Sequence, residues 1–244
     1  MAQGRTPRRI VLKLSGSAFS GAGDAPFDDE AVRFIAQELS GAHSACAQIA
    51  VVVGGGNVIR GAKFCPTGPG RIFADYAGML ATVTNALVLR DYLREMGVPA
   101  AHYGAFAIPR IVETFEPQRA AADLVQGKLV LLAGGTGNPL LTTDTAAALR
   151  AVELEADILL KATRVDGVYS ADPESNPGAE LFSRVSCRTV LERRLAVMDL
   201  SAVSLCMEYR LPVRVFNYSV AGNLRRAAAG EALGTLLGGA EDGC

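Results

Sequence analysis

Short continuous apolar runs alternate along this chain with stretches whose apolar residues recur every three or four positions. The runs Arg9–Leu14 (RIVLKL), Gln48–Val53 (QIAVVV), 128–133 (KLVLLA), 157–161 (DILLK) and 212–216 (PVRVF) have the length and aliphatic content of strands buried on both faces. Residues 28–45 read as a helix opened by the acidic pair Asp28 and Asp29. From Tyr76 onward, Met79, Leu80, Val83 and Leu87 keep helical spacing, with Asp75 as the expected N-cap and Gly97 as the stop. Residues 143–155 and 223–229 give two further helices. Strands alternating with helices predict an α/β fold with a mainly parallel central sheet covered on both faces. The Gly- and Pro-rich residues 61–70 and the polar residues 170–178 read as surface loops. No repeat, low-complexity tract or composition break divides the chain, so residues 1–244 read as one domain.

Polar residues gather where strands end. Four stretches do so: 13–16 (KLSG), 54–60 (GGGNVIR), 134–144 (GGTGNPLLTTD) and 161–173 (KATRVDGVYSADP). In open α/β sheets, ligands bind beyond the carboxyl ends of the strands. These turns offer many backbone N–H groups and three cations, Lys13, Arg60 and Lys161, which suit a polyanion. Neither GxxxxGK[ST] nor GxGxxG occurs in the chain. Taken singly, each signal has a plain structural reading. Lys13 and Arg60 could be surface charges, Asp75 and Asp144 helix N-caps, and Asp166 with Gly167 a tight turn. Four such clusters at one edge of a single sheet favour a ligand.

Composition narrows the chemistry. Hydrophobic residues make up 50% and charged residues 20%, and a net charge of −1 gives no general attraction to nucleic acid or anionic lipid. His43 and His102 are the two histidines, and neither lies near a glycine-rich turn, which argues against a histidine base or a zinc site. Cys46, Cys65, Cys187, Cys206 and Cys244 form no CxxC pair and read as buried or idle thiols in a reducing compartment. The basic N-terminus leads straight into the first strand, too short an apolar run for a secretion signal, and no apolar stretch is expected to span a membrane. A cytoplasmic protein is expected.

The four stretches, with GMLAT (78–82), VMDL (197–200) and RVFN (214–217), resemble in order and spacing the bacterial UMP kinases of the amino acid kinase family, from about Arg9 to Leu237. That resemblance implies a three-layer α/β/α sandwich whose N-terminal part, about 9–155, holds UMP and whose C-terminal part, about 156–237, holds ATP. Lys13, Leu14, Ser15 and Gly16 would line the ATP phosphates, and Gly56 and Arg60 would contact the phosphates in transfer. Gly55 would approach UMP, with a side chain there or at Gly56 occupying phosphate space. Asp75 would bind the ribose of UMP. Thr136, Gly137, Asn138, Pro139, Leu140, Leu141, Thr142 and Thr143 would wrap the same nucleotide. Thr163, Tyr169 and Asp172 would hold the nucleoside of ATP. Lys13, Arg60 and Lys161 would supply charge to the transfer, with Asp144 orienting the lysines. Mg²⁺ would be bound through nucleotide phosphates, with no protein ligand assigned.

The resemblance also implies a homohexamer under allosteric control. Ser17 stands where the family usually has glutamate, and residues 20–27 match only loosely the region tied to GTP activation, so GTP activation and UTP inhibition remain family expectations. Two alternatives stay open: a kinase of this fold acting on a carboxylate or carbamate, and a non-catalytic nucleotide-binding or storage protein. Retention of Lys13, Arg60, Asp144 and Lys161 weighs against the second.

Overall fold

The computed structural model describes residues 7–21, 25–45, 48–59, 67, 69–171, 176, 178–195 and 197–238. In chain order the elements are β1 (Arg9–Leu14), a 3-10 turn (Gly16–Ala18), α1 (Asp29–Ala45), β2 (Gln48–Val53), α2 (Pro69–Glu95), β3 (Ala100–Gly104) and β4 (Glu113–Thr114). Next come α3 (Pro117–Val125), β5 (Leu129–Ala133), α4 (Thr143–Glu153), β6 (Ile158–Thr163), β7 (Arg184–Val185) and α5 (Cys187–Arg193). The last are α6 (Leu200–Glu208), β8 (Val213–Asn217), α7 (Asn223–Ala228) and β9 (Thr235–Leu237).

These strands form one nine-stranded sheet in the order β4-β3-β5-β2-β1-β6-β8-β9-β7, parallel throughout except for the β8–β9 pair. Strand alternation sorts the core into two layers. Ile10, Leu12 and Leu14 of β1 face a cluster closed by Ile35 and Leu39 of α1, Leu89 and Leu93 of α2 and Leu224 of α7. Val11 faces the opposite cluster, closed by Leu124 of α3, Ala147 and Ala151 of α4, Val190 of α5 and Val203 of α6. The result is a three-layer α/β/α sandwich. The central strands are buried on both sides, which is why they read as unbroken apolar runs.

Local chemistry explains most helix starts. Asp28 accepts the N–H of Ala31 at 2.8 Å and so caps α1. Thr142 caps α4 by accepting the N–H of Asp144 at 3.0 Å, so the expected N-cap role of Asp144 gives way to Thr142. Helix α2 requires two corrections. It starts at Pro69, so Asp75 lies one and a half turns inside it, and the end of the expected 61–70 loop is helical. Proline is favoured in a helix's first turn, where its missing N–H costs nothing. In addition, Gly70–Glu95 is long and apolar enough by length and composition to cross a membrane, contrary to the sequence expectation. Here its Val83, Ala86, Leu89 and Leu93 pack against the sheet.

Candidate active site

The four strands followed by polar stretches are neighbours, in the order β5-β2-β1-β6, and run parallel, so their C-terminal ends share one rim. The turns after them touch. Gly54 N–H donates to Leu14 O at 2.8 Å, stitching the turn after β2 to the end of β1. A Cβ on Gly16 would lie 2.4 Å from Gly56 N and 2.6 Å from Asn57 Oδ1, so these two turns pack backbone against backbone. The side chain of Leu14 is fully buried, leaving only its main chain at the rim. Ser15 Oγ accepts from Ser17 N at 3.4 Å and from the Ser17 hydroxyl at 3.1 Å, organising the 3-10 turn.

On the α4 side of the sheet a charged triad sits at the strand ends. Lys13 and Lys161 are register partners on β1 and β6, so their side chains leave the same face side by side. Two adjacent ammonium groups at the edge of a core repel, and Asp144, from the first turn of α4, lies between them. Lys161 Nζ donates to Asp144 Oδ2 at 2.6 Å and also to Val197 O. Lys13 Nζ stands 2.9 Å from Asp144 Oδ1 as an ion pair without an aligned hydrogen bond. Burial pushes the Asp144 carboxyl up, but Lys13 and Lys161 outweigh it and hold it below the usual carboxylate range. Burial also lowers the Lys161 ammonium, against the pull of Asp144, with Lys13 lowering it further. Lys161 is 8% exposed and engaged, so it acts on this site through Asp144 rather than as an open cation. Asp199, which caps α6, accepts the hydroxyls of Thr142 and Thr145 and so ties the start of α4 to the 197–200 segment.

On the other side of β1 lies a cavity of about 330 Å³. Seven residues grouped for the acceptor line it: Gly55, Asp75, Thr136, Asn138, Leu141, Thr142 and Thr143, along with Gly56. Gly137, Pro139 and Leu140 belong to the same loop but not to the wall. Leu140, with φ 70°, gives its N–H to Asp75 Oδ2 at 2.9 Å. Thr136 Oγ1 accepts Asn138 N–H at 3.1 Å and shapes the turn. The reading of Gly55 as space left for phosphate needs correction. A Cβ there would lie 2.5 Å from Gly78 O and 3.0 Å from Thr82 N, so the approach of α2 demands the glycine.

Thr163 ends β6 and donates to Val165 O at 2.7 Å; Tyr169 bridges to Leu181 across the following loop. Arg60 and Asp172 lie outside the described residues. Sequence reasoning passed over Arg71, whose Nε binds Asp75 at 2.9 and 3.0 Å and which lines the cavity. The i,i+4 spacing of these two residues was a usable signal, hidden by the misplaced helix start. It also passed over Arg164, which donates to Ser17 O at 2.7 Å and joins the β6 rim to the 3-10 turn. No cluster of three or more His, Cys, Asp or Glu fit for a metal occurs among the described residues.

An open parallel sheet with ligand turns converging on one rim defines the class, and residues 8–217 match the amino acid kinase family. The chain belongs to that family. It is 44% identical over 236 residues, 96% of each chain, to the uridylate kinase of Ectopseudomonas mendocina (strain ymp). It superposes on UMP kinase from Bacillus anthracis with TM-score 0.92 and 33% identity, covering 96% of this chain and 97% of that one. With UMP kinase from Ureaplasma parvum the TM-score is 0.87 and the identity 29%, covering 95% and 98%.

Proposed function

We propose that this chain is a UMP kinase, transferring the γ-phosphate of ATP to UMP to give UDP and ADP in pyrimidine nucleotide synthesis. The observation that carries the reading is the juxtaposition, on one rim, of a nucleotide-sized cavity and the Lys13–Asp144–Lys161 triad. Identity to a uridylate kinase spans both sides of that rim. The acceptor side is about 9–155 and the ATP side about 156–237, within one domain, with turns of the first part also meeting the ATP phosphates.

The chemistry asks little of the protein. A phosphate oxygen of UMP, ionised at neutral pH, attacks the γ-phosphorus; the bond to the β-bridging oxygen breaks and ADP leaves with that electron pair. No base is required, so the protein orients the reactants and neutralises charge. Lys13 faces the transferring phosphates, and Arg60 supplies further positive charge to them. Asp144 holds Lys13 in place and Lys161 holds Asp144. Backbone N–H groups of Ser15, Gly16 and Gly56 cradle the ATP phosphates. Gly55, Asp75 and residues 136–143 hold UMP, with Arg71 fixing the rotamer of Asp75. Thr163, Tyr169 and Asp172 hold the ATP nucleoside.

The described carboxylates near the triad are engaged, Asp144 by two lysines and Asp199 by two hydroxyls and a backbone N–H. A Mg²⁺ ion therefore fits as a nucleotide-borne ion, held by phosphate oxygens and water, and would offset charge on the transferring group. Helix α2 exposes Ile72, Phe73, Tyr76 and Leu80 along one side, an apolar strip suited to a second copy of the chain in a cytoplasmic homohexamer. GTP and UTP control belongs to the same reading.

The test is ADP release from ATP and Mg²⁺ with UMP, CMP, aspartate or acetylglutamate as acceptor. Release with UMP is expected. Release with CMP in its place overturns the substrate, and release with a carboxylate alone overturns the nucleotide reading.

A further inference from the structure

Helix α2 is mostly apolar where it meets the sheet, yet three polar side chains on neighbouring rows of that face each hold a main-chain group of a rim turn. Asp75 takes Leu140 N–H. Thr82 Oγ1 accepts Gly134 N–H at 2.6 Å and gives its own proton to Met79 O at 2.7 Å. Asn85 Nδ2 donates to Gly54 O at 2.7 Å and to Asn57 Oδ1 at 2.7 Å, while Asn57 Nδ2 returns a bond to Asn85 Oδ1 at 3.1 Å and reaches Pro26 O at 2.7 Å. Asn85 is fully buried and Thr82 nearly so.

A plain packing role does not account for these residues. An aliphatic side chain would fill either position but would leave Gly134 N–H and Gly54 O without these partners. Nor are the partners scattered: Gly134 opens the turn after β5, and Gly54 opens the turn after β2. Both turns contribute to the cavity wall, the first through Gly55 and Gly56 and the second through Gly135, Thr136 and Asn138. A hydrogen bond with defined length and direction fixes a turn in a way that apolar contact does not.

We propose that Thr82 and Asn85 are positioning residues for phosphoryl transfer. From one rigid helix they set the separation between the turn after β2 and the turn after β5, and through it the approach of acceptor to donor phosphate. This inference rests on the UMP kinase reading and deepens it. Neither side chain takes part in bond making.

The experiment compares wild type with Thr82→Val, Thr82→Ser and Asn85→Ala, by steady-state kinetics with UMP and ATP and by amide hydrogen exchange of the 54–57 and 134–140 segments. Valine keeps the shape of threonine and removes the bond. Thr82→Val should lower kcat about 10–100-fold, as misplacement by about an ångström does, with KM for ATP changed less than about twofold. Exchange across 134–140 should speed up in the same variant, locally and beyond what the drop of several degrees in thermal midpoint from one unpaired buried N–H would give. Thr82→Ser, which keeps the hydroxyl, should restore kcat to within about threefold. Asn85→Ala should lower kcat similarly and speed exchange across 54–57; should it not fold, the Thr82 pair still decides.

Wild-type turnover in Thr82→Val overturns the proposal. So does equal impairment in Thr82→Ser, which would trace the effect to a lost methyl group. A wild-type chain that transfers nothing to UMP sinks the function reading and the kinetic half of this one. Unchanged exchange at 134–140 sinks the positional half independently.

Discussion

The rim is built from different material on the two sides of β1. Toward β2 and β5 it is largely backbone: the 54–57 and 134–140 turns, held by side chains of α2, with charge among the described residues of that wall carried by the Arg71–Asp75 pair. Toward β6 it is side-chain charge, with Lys13 and Lys161 in register and Asp144 between them. A backbone site depends on shape, so close approach sets which residues it tolerates. A charged site depends on compensation, and there the removal of one partner leaves another exposed to desolvation. The same substitution size should therefore produce different kinds of damage on the two sides.

The largest effect is expected on the charged side. Lys13→Ala should lower turnover by about 10²–10⁴-fold, or about 3–5 kcal/mol of transition-state stabilisation, read from ADP release at saturating substrates. Turnover within about threefold of wild type would break the comparison at its root, because Lys13 would then not face the transferring charge.

Asp144→Ala should destabilise the fold as well as the reaction. It leaves two adjacent, largely buried ammonium groups without a counter-charge, a cost of about 3–5 kcal/mol in chemical denaturation. A loss below about 1 kcal/mol would mean that solvent reaches both lysines freely.

Acid separates the two sides by window. On the backbone side, His102 of β3 is buried with neither ring nitrogen partnered among the described residues. Burial, with Arg90 adding to it, lowers its pKa from 6.5 to about 4. An unfolded chain thus binds a proton that the folded chain refuses, so this contribution is complete above pH 6.5 and falls away as pH drops toward 4. The full loss is about 3 kcal/mol, and His102→Asn should flatten that part of the stability–pH curve. On the charged side, the Asp144 carboxyl lies below its ordinary 3.8, so its contribution persists above that pH and is lost only as pH falls through the lowered value. Two separable acid transitions would sharpen the contrast; a single one, insensitive to His102→Asn, would erase it.

The smallest effect is expected at Gly55. An added methyl group meets Gly78 O at 2.5 Å, so Gly55→Ala should cost about 1–3 kcal/mol of stability by overpacking against α2 and raise KM for UMP more than KM for ATP. Unchanged stability would show that α2 can retreat from the turn, and that this side of the rim is less rigid than its contacts suggest.

How much of this was legible beforehand varied by element. Strands β1 and β2 begin and end where their apolar runs do, because a strand buried on both faces shows its limits directly in the residue pattern. By contrast, β3 (AAHYG) carries no aliphatic run, and the two-residue β4 and β7 carry no period at all; pairing with β5, β3 and β9 makes them strands. The start of α2 was misread because Pro69 and Gly70 look like loop residues until the helix they open is seen. The triad could be anticipated as a group, since Lys13 and Lys161 lie near the C-terminal ends of their strands and Asp144 in the first turn of a helix at the same rim. The roles of Thr82, Asn85 and Arg71 could not, as their partners are main-chain or carboxylate groups revealed only once α2 lies across the turns.

By itself, then, the sequence determined the alternation of strand and helix, the rim that carries polar chemistry and the family to which the chain belongs. These depend on residue type and spacing, which are local. Tertiary structure alone decided that Lys161 is buried behind Asp144, that Gly55 is glycine because of α2, and that one helix holds two turns at a fixed distance. Each of those follows from which atoms meet across sixteen or more residues of intervening chain, and no local pattern encodes such a meeting.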